Sequence, residues 1–456
     1  MKNLLKRLFR FCFVLILSFP LLSVAQNNSN IFTMALTGDA IITRKLSVYK
    51  EPQFLDMIKL IRSADVAFTN LEMLLHDFEP YPMHRSGGTW MRAEPYMADE
   101  LVWAGFDMVA KANNHTGDYG VEGMRLTSKY VNESGLVSAG TGESLEEARE
   151  AKFLETSEAR VALISCASTF PDHSRAGTSR GDTNARPGLS PVRYNTTYVV
   201  TKEQLKNLRD IRTSIGYRRS WSRPEESENE LNFSGRYYKV GDKNEILTTP
   251  NQGDLDEMSQ VVRNASHMAD YTIVTIHAHE SDGEKSVPAK FLVQFARKMI
   301  DAGADVFVGH GPHVLRGIEI YKGKPIFYSL GDFMFQNETL LRLPEENYAG
   351  FDLGRDAQVG DWNDARYAND TRGFPAEAEI WESVVAVPEW KKSELSAIKL
   401  YPITLGFGES RTVRGRPMFA DKKLGKKIIG DLQDRSKPFG TKIQYKNDIG
   451  IITNIK

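Results

Sequence analysis

Five of the nine histidines fall in three short segments that follow apolar, strand-like runs. One of these segments, 308–315, places His310 and His313 three residues apart, beside Gly311 and Pro312. Imidazole is a common metal ligand, and glycine and proline restrict the backbone of such a segment. The sequence therefore predicts that segment 308–315 helps to hold a metal ion or a phosphate-like anion.

Other strand-like runs also end in residues that could bind a metal. These residues are Asp39, Glu72, Asn114 with His115, and His277 with His279 and Glu280. In open α/β sheets ligands bind beyond the carboxyl ends of the strands, so residues far apart in the chain can converge there. A site of carboxylate, amide and imidazole groups without thiolates suits Zn, Mn or Fe and a hydrolytic reaction.

Each of these residues also has a purely structural explanation. Asp39 after Gly38 could belong to a turn, and Glu72 could cap the following helix. The others could be turn, packed or exposed residues without a ligand: Asn114, His115, His277, His279 and Glu280. Their repeated position at strand ends favours a shared site.

The elements that would position these residues alternate along the chain. Strand-like runs are 31–37, 65–69, 108–112, 160–167, 271–276, 304–308, 378–387 and 395–405, and helix-like runs are 52–63, 95–104, 120–133, 288–301 and 421–434. This alternation predicts an α/β sandwich. Residues 170–252 and 340–374 contain few apolar runs, so we expect a long loop insertion over the site and a second loop.

The N-terminus predicts export. Basic residues precede an apolar run at 11–24, and Ser23-Val24-Ala25 suits signal peptidase, so residues 1–25 are expected to be a signal peptide. An uncleaved membrane anchor is the alternative. The mature chain would be periplasmic or extracellular, in the cell envelope. With 58 basic and 59 acidic side chains, the sequence offers no basic excess for a nucleic-acid surface.

Several blocks of the sequence resemble the CapA family of poly-γ-glutamate capsule synthesis proteins. They are Gly38-Asp39, Asn70-Leu71-Glu72, and segments 113–120, 277–280, 309–314 and 319–333. The family is similar in fold to calcineurin-like metallophosphatases. The resemblance implies an α/β fold in which a β-sandwich is flanked by helices in four layers (α/β/β/α). This domain would span residues 31–410, with the insertion at about 170–252, and residues 411–456 would be a C-terminal extension packing on it.

The resemblance also implies roles for single residues. The metal ligands would be Asp39, Glu72, Asn114, His277, His310 and His313, and His115 would act as general acid. Ile41 stands where a ligand histidine is usual, which implies one tightly held divalent ion, or one tight and one weak. Arg186, His279 and Glu280 are predicted to bind substrate, because an arginine beside a metal can clamp carboxylate or phosphate. The alternative for Arg186 is a solvated loop charge.

Three functions remain open at this point. The first is an exported CapA-like protein that hydrolyses or transfers an amide or ester bond of poly-γ-glutamate or a related cell-envelope polymer. The second is a secreted metallophosphoesterase, and the third is a non-catalytic capsule assembly or export factor. The expected partners are the anionic polymer and membrane capsule-synthesis proteins. No nucleic-acid partner is expected.

Overall fold

The protein is described by a computed structural model that covers residues 31–217, 226–453 and 455. The predicted signal peptide at 1–25 lies outside the described residues. Ile31–Lys456 forms one compact unit, so the predicted C-terminal extension belongs to the same unit as the rest. Within the described ranges, no helix is both long and apolar enough to cross a membrane.

The first sheet has ten strands around the central strand Ile31–Ile41. This strand runs parallel to Val66–Leu71 and Asp332–Phe335, and antiparallel to Glu382–Lys391. The other strands of this sheet are Met108–Ala110, Val137–Ala139, Glu394–Thr404, Met418–Phe419, Gln444–Lys446 and Ile449–Ile452. The last two strands lie at one edge, so the C-terminal segment extends the sheet.

The second sheet has six strands and is centred on Tyr271–His277. This strand pairs in parallel with Arg160–Ala167 on one side and with Val306–His310 on the other. The remaining strands are Lys152–Glu155, Ile318–Tyr321 and Lys324–Phe327. The parallel pairing brings the carboxyl ends of the three central strands to one edge.

Apolar side chains fill three layers of core around the two sheets. Met34 and Leu36 point into the core between the sheets, whereas Ala35 faces the helices outside the first sheet. Helices Pro52–Arg62 and Met97–Ala104 cover the first sheet, and Gln252–Ser266 and Lys290–Asp301 cover the second. The further helices are Gly120–Glu133, Leu145–Arg149, Lys202–Ser214, Glu345–Ala349, Val359–Tyr367 and Lys422–Ser436. The predicted four-layer α/β/β/α arrangement is confirmed.

The segment expected to be a loop insertion, 170–252, contains regular structure. Four strands form a small separate sheet: Tyr194–Val200, Glu230–Phe233, Arg236–Val240 and Glu245–Pro250. Most residues of these strands are only partly buried, and helix Lys202–Ser214 buries Leu205 alone. Because little apolar surface is covered, the sequence carries little apolar patterning. Four two-residue strands complete the set of described strands: Leu74–Leu75, Arg92–Ala93, Thr141–Gly142 and Gly188–Leu189.

Candidate metal centre

Strand register brings the predicted ligands to one edge of the sandwich. Asp39 lies opposite Asn70 on one neighbouring strand and opposite Asp332 on the other. His277 lies opposite His310 in the second sheet. A Cβ atom at Gly38 would clash with the carbonyl oxygen of Gly331, which explains the glycine before Asp39. The structure thus places residues from both sheets around one buried centre.

Asp39, His277 and His310 form the innermost group, and all three are fully buried. The Asp39 Oδ1 atom lies 3.2 Å from His310 Nδ1 and 3.6 Å from His277 Nδ1. The two Nδ1 atoms are themselves 3.1 Å apart. Asn70 Nδ2 donates to Asp39 Oδ1 at 2.7 Å, and the Gly311 amide donates to Asp39 Oδ2 at 2.8 Å. These bonds fix the carboxylate against the two imidazoles.

The tautomer of His310 follows from its contact with Thr275. The Thr275 hydroxyl donates to the carbonyl of Val308 at 2.9 Å, so it accepts from His310 Nε2, which is also 2.9 Å away. In the neutral ring His310 Nδ1 then carries the lone pair, and that lone pair faces Asp39. Metal-binding histidines are oriented in this way by a hydrogen bond from the other ring nitrogen.

Glu72 forms the second part of the centre. Its carboxylate is fully buried, and neither oxygen accepts a hydrogen bond within the described residues. Its Oε1 atom lies 3.6 Å from His277 Nε2 and 4.0 Å from His313 Nε2. His313 Nδ1 lies 2.9 Å from Asp332 Oδ1, so its Nε2 lone pair is directed away from that bond. His313 also has a φ of 58°, an uncommon backbone conformation that is concentrated at functional sites.

The unpartnered oxygens test whether a metal fits here. Besides both Glu72 oxygens, Asp332 Oδ2 and Asn114 Oδ1 are buried without a hydrogen-bond partner. A buried carboxylate without a donor is costly unless a cation compensates it. Three ligand groups satisfy the spacing of a metal site within the described residues: Asp39 with His277 and His310, Glu72 with His277 and His279, and Asp39 with Glu72, His313 and Asp332. The residues present therefore fit a divalent metal.

The electrostatics of Asp39, Glu72 and His277 agree with this donor set. Burial would lower the pKa of His313, but the charge of Asp332 raises it above its ordinary value, so a metal would displace a proton there. Burial, followed by the charges of Asp39 and Asp332, raises the pKa of Glu72 well above its ordinary value. Burial would also raise the pKa of Asp39, but His310 and His277 lower it well below its usual range. Burial lowers the pKa of His277 to about 4. A neutral His277 and an ionised Asp39 are the forms that bind metal, and Glu72 needs a cation to ionise.

His115 stands beside this centre and is held by Asp118. His115 Nδ1 lies 2.7 Å from Asp118 Oδ2, and Asp118 also accepts from the backbone amides of Gly87 at 2.9 Å and Met91 at 2.8 Å. The His115 Nε2 atom faces the centre, 3.8 Å from Glu72 Oε1. Asn114 Nδ2 lies 3.1 Å from the same His115 atom. The arrangement resembles a catalytic histidine oriented by a carboxylate.

The three predicted substrate-binding residues are placed differently from one another. His279 Nε2 lies 2.9 Å from His277 Nε2, at the edge of the centre. Glu280 accepts hydrogen bonds from Ser168 at 2.7 Å and Thr169 at 2.9 Å, and so ties two loops together. Arg186 is exposed, and its Nε atom donates to a backbone carbonyl of the same insertion at 2.8 Å. The structure brings His279 to the centre and does not bring Arg186 there.

Several residues of the centre were not predicted from the sequence. Asp332 and Asp118 belong to the resembling blocks, but no role was expected for either of them. Asn70 and Thr275 act through hydrogen bonds to Asp39 and His310. The position of Asp118, three residues after His115, is a signal that could have revealed it, because both then lie in one turn. Nothing in the sequence around Thr275 distinguishes it from an ordinary strand threonine.

A cavity opens above the centre. It measures about 180 Å³ and is lined by Asn114, His115, His279 and His313, among others. A second cavity, of about 310 Å³, shares Gly87 and Asn114 as walls and is also lined by Arg85. Open space therefore lies on two sides of Asn114.

Known proteins match this chain along most of its length. Residues 33–337 match the family "Bacterial capsule synthesis protein PGA_cap". The "Uncharacterized protein y4sH" of Sinorhizobium fredii is 39% identical over 445 residues, covering 94% of this chain and 95% of its own. The "Capsule biosynthesis protein CapA" of Bacillus anthracis is 25% identical over 319 residues, covering 68% of this chain and 62% of its own.

Solved structures match more remotely. A phosphatase of Mycoplasma pneumoniae, at 10% identity and a TM-score of 0.36, covers 82% of this chain and 94% of its own. The NAD nucleotidase of Haemophilus influenzae, at 8% identity and a TM-score of 0.30, covers 89% of this chain and 56% of its own. No functional conclusion follows from scores of this size. The family match carries the assignment: the chain belongs to the bacterial capsule synthesis protein family PGA_cap, as its resembling blocks predicted.

Proposed function

We propose that this protein is an exported, metal-dependent hydrolase or transferase of poly-γ-glutamate or a related cell-envelope polymer. The observation that carries the proposal is the carboxylate of Glu72, which is fully buried, has no hydrogen-bond donor within the described residues, and faces imidazole nitrogens. Such a group is stable in a folded protein when a cation lies beside it. Family membership supports the polymer as the substrate class.

The side chains divide the chemistry between them. The metal would be held by the predicted ligands together with Asp332: Asp39, Glu72, Asn114, His277, His310 and His313. A divalent ion bound there would lower the pKa of water and polarise the carbonyl of an amide or ester bond. His115, oriented by Asp118, would hold a proton at Nε2 and deliver it to the leaving nitrogen or oxygen. Asp118 would stabilise the charged imidazolium before that transfer.

The shape of the surface supports a chain-like substrate. The two cavities that meet at Gly87 and Asn114 extend to either side of Asn114, and His115 lines the first of them. A polymer could therefore pass across the centre with residues on both sides of the bond that breaks. Arg85 and Arg366, one in each cavity wall, carry charges that complement an anionic polymer.

Metal content is the first test. The mature protein, residues 26–456, would be analysed for Zn, Mn and Fe beside a His310→Ala, His313→Ala double variant. We expect near-stoichiometric metal in the parent protein and its loss in the double variant. Absence of metal from both proteins after reconstitution would rule out the proposed hydrolase and favour an assembly role.

Activity is the second test. Cleavage of poly-γ-glutamate would be followed by chain length in the parent protein and in His115→Ala, which should retain metal and lose cleavage. A phosphoester substrate is tested in parallel, and turnover of that substrate without polymer cleavage would favour the phosphoesterase alternative. Cell fractionation tests export and association with membrane capsule-synthesis partners. Recovery of the protein in the cytoplasm alone would contradict export.

A further inference from the structure

We propose that Arg366 recognises a carboxylate of the substrate beside the metal centre. The inference rests on the proposed function and adds the residue that selects an anionic substrate. Arg366 lies in helix Val359–Tyr367 and lines the same cavity as Asn114, His115 and His313. It lies outside the family match at 33–337, so this part of the site is contributed by the chain's own later segment.

The guanidinium of Arg366 has no acidic partner within the described residues. Its one hydrogen bond is from Nη1 to the hydroxyl of Thr89, at 2.5 Å. The nearest acidic residues in sequence are bound elsewhere, because Asp364 pairs with Arg411 at 2.7 Å and Asp370 pairs with Arg414 at 2.9 Å. A partly buried cation left without a counter-charge in a cavity wall is available to an anionic ligand.

The other lysine or arginine of the cavity wall already has an acidic partner. Lys285 lines the cavity, but its ammonium group lies 2.6 Å from a carboxylate oxygen of Glu377. The two basic residues therefore differ in the charge that they can offer to a ligand. Arg366 is the stronger candidate for anion recognition.

Aromatic side chains hold the guanidinium of Arg366 in place. Its central carbon lies 4.8 Å from the ring centre of Trp362, 5.1 Å from Tyr367 and 5.8 Å from Phe374. The Phe374 ring in turn lies 5.5 Å from the ring of His313. A guanidinium fixed in this way loses little conformational freedom when it binds a ligand. The aromatic contacts link the anion subsite directly to a ligand of the proposed metal centre.

The chemistry of a guanidinium narrows the ligand class. Its planar, parallel N–H groups match the two oxygens of a carboxylate, and they also match phosphate. In a polymer of γ-linked glutamate every unit carries one free carboxylate. Binding one such group at Arg366 would place a neighbouring amide bond towards His115 and the metal centre.

Direct binding measurements test this assignment. The full mature protein would be titrated with three probes: a short γ-linked glutamate oligomer, the same oligomer with its carboxylates converted to amides, and inorganic phosphate. The variants would be Arg366→Gln, Arg366→Lys and the matched control Arg355→Gln. Arg355 is an exposed arginine of the same segment. Thermal midpoint and metal content would be recorded for each variant.

We expect Arg366→Gln to weaken binding of the anionic oligomer by about 10- to 100-fold, with metal content unchanged. The affinity of Arg366→Lys should fall between that of Arg366→Gln and that of the parent protein. Arg355→Gln should bind the oligomer like the parent protein. Equal affinity of Arg366→Gln and the parent protein would overturn the proposal, as would equal binding of the amidated oligomer. Arg366-dependent binding of phosphate without binding of the oligomer would also overturn it.

Failure of the proposed function can be distinguished from failure of this inference. Binding would be measured again after the metal has been removed with a chelator. A protein that holds no metal and cleaves no polymer, but binds the oligomer through Arg366, would refute the hydrolase and retain the subsite. A metal-loaded, active protein that binds the oligomer equally well with and without Arg366 would support the hydrolase and refute the subsite.

Discussion

Replacing Glu72 by glutamine should have opposite effects on the metal-free and metal-loaded protein. Glutamine keeps the size of the side chain and removes its charge. In the metal-free protein the Glu72 carboxylate is buried without hydrogen-bond donors, and the extra cost of burying its charge, which glutamine removes, is about 1–3 kcal/mol of folding free energy. We therefore expect metal-free Glu72→Gln to be about 1–3 kcal/mol more stable than the metal-free parent protein at pH 8.

The sign depends on pH in a defined way. Burial and neighbouring acids raise the folded-state pKa of Glu72 above its unfolded value, so the folded metal-free protein binds the proton more tightly. Stability contributed by this group is therefore present below the unfolded pKa and is lost as the pH rises through the folded pKa. Glutamine does not titrate. The advantage of the variant should grow as the pH is raised from about 5 to about 8.

Added metal should reverse the order of stability, so that the parent protein becomes more stable than Glu72→Gln. A ligand that binds only the folded state stabilises it by about 2.7 kcal/mol at a concentration of 100 times its Kd, and the variant lacks one ligand. Thermal and urea unfolding with chelator, and with added Zn or Mn, would compare the two proteins. A metal-free variant clearly less stable than the parent protein would contradict the expected effect of Glu72, as would equal stabilisation of both proteins by added metal.

Three further substitutions test single contacts. Thr275→Val removes the hydroxyl that accepts from His310 Nε2, and we expect metal affinity to fall about 10- to 100-fold. The control Thr272→Val removes an unpartnered hydroxyl from the same strand and should leave metal affinity unchanged. Asp118→Asn should lower the rate of polymer cleavage about 100-fold or more without loss of metal. In the double variant Asp118→Asn, His115→Ala the rate should be little lower than in His115→Ala alone, and kinetic measurements on the three variants would check this. Burial lowers the pKa of Lys111 to about 7. Lys111→Met should therefore raise the free energy of unfolding at pH 6, where the buried ammonium is charged, and raise it much less at pH 10. An equal gain in unfolding free energy at pH 6 and pH 10 would show that the buried charge is not the cause.

The sequence was sufficient to locate the centre because strand ends are marked in two ways. Apolar runs such as 271–276 show where a buried strand lies, and a polar residue such as His277 shows where the strand leaves the core. Parallel pairing then brings the ends of separate strands together, so polar residues at those ends can be predicted to lie near one another. The same alternation of strands and helices predicts an α/β sandwich, and the resemblance to the CapA family implies its four layers.

Contacts made between distant segments were beyond sequence reasoning. Thr275 looks like any strand threonine, and its role depends on the ring of His310 being within hydrogen-bond distance. Arg366 lies in a segment expected to be a loop, in a helix that is too polar and too short to show an apolar period. Insertion strands such as Arg236–Val240 are only partly buried, so their side chains follow no alternation between core and solvent.

The residue at position 41 bears on how many ions the proposed centre would hold. The resemblance to metallophosphatases implies a histidine ligand at this position, and here Ile41 lines the cavity as an apolar side chain. Asp332, however, adds a carboxylate to the group formed by Asp39, Glu72 and His313. The absence of a histidine at position 41 therefore does not leave the group of Asp39, Glu72, His313 and Asp332 with too few ligands for a metal. It changes the donors from imidazole towards carboxylate, a set that suits Mn better than Zn, whereas His277 and His310 supply the nitrogen donors that suit Zn or Fe. An ion held by Asp39, His277 and His310 would thus meet mainly nitrogen donors, and an ion held by Asp39, Glu72, His313 and Asp332 mainly oxygen donors.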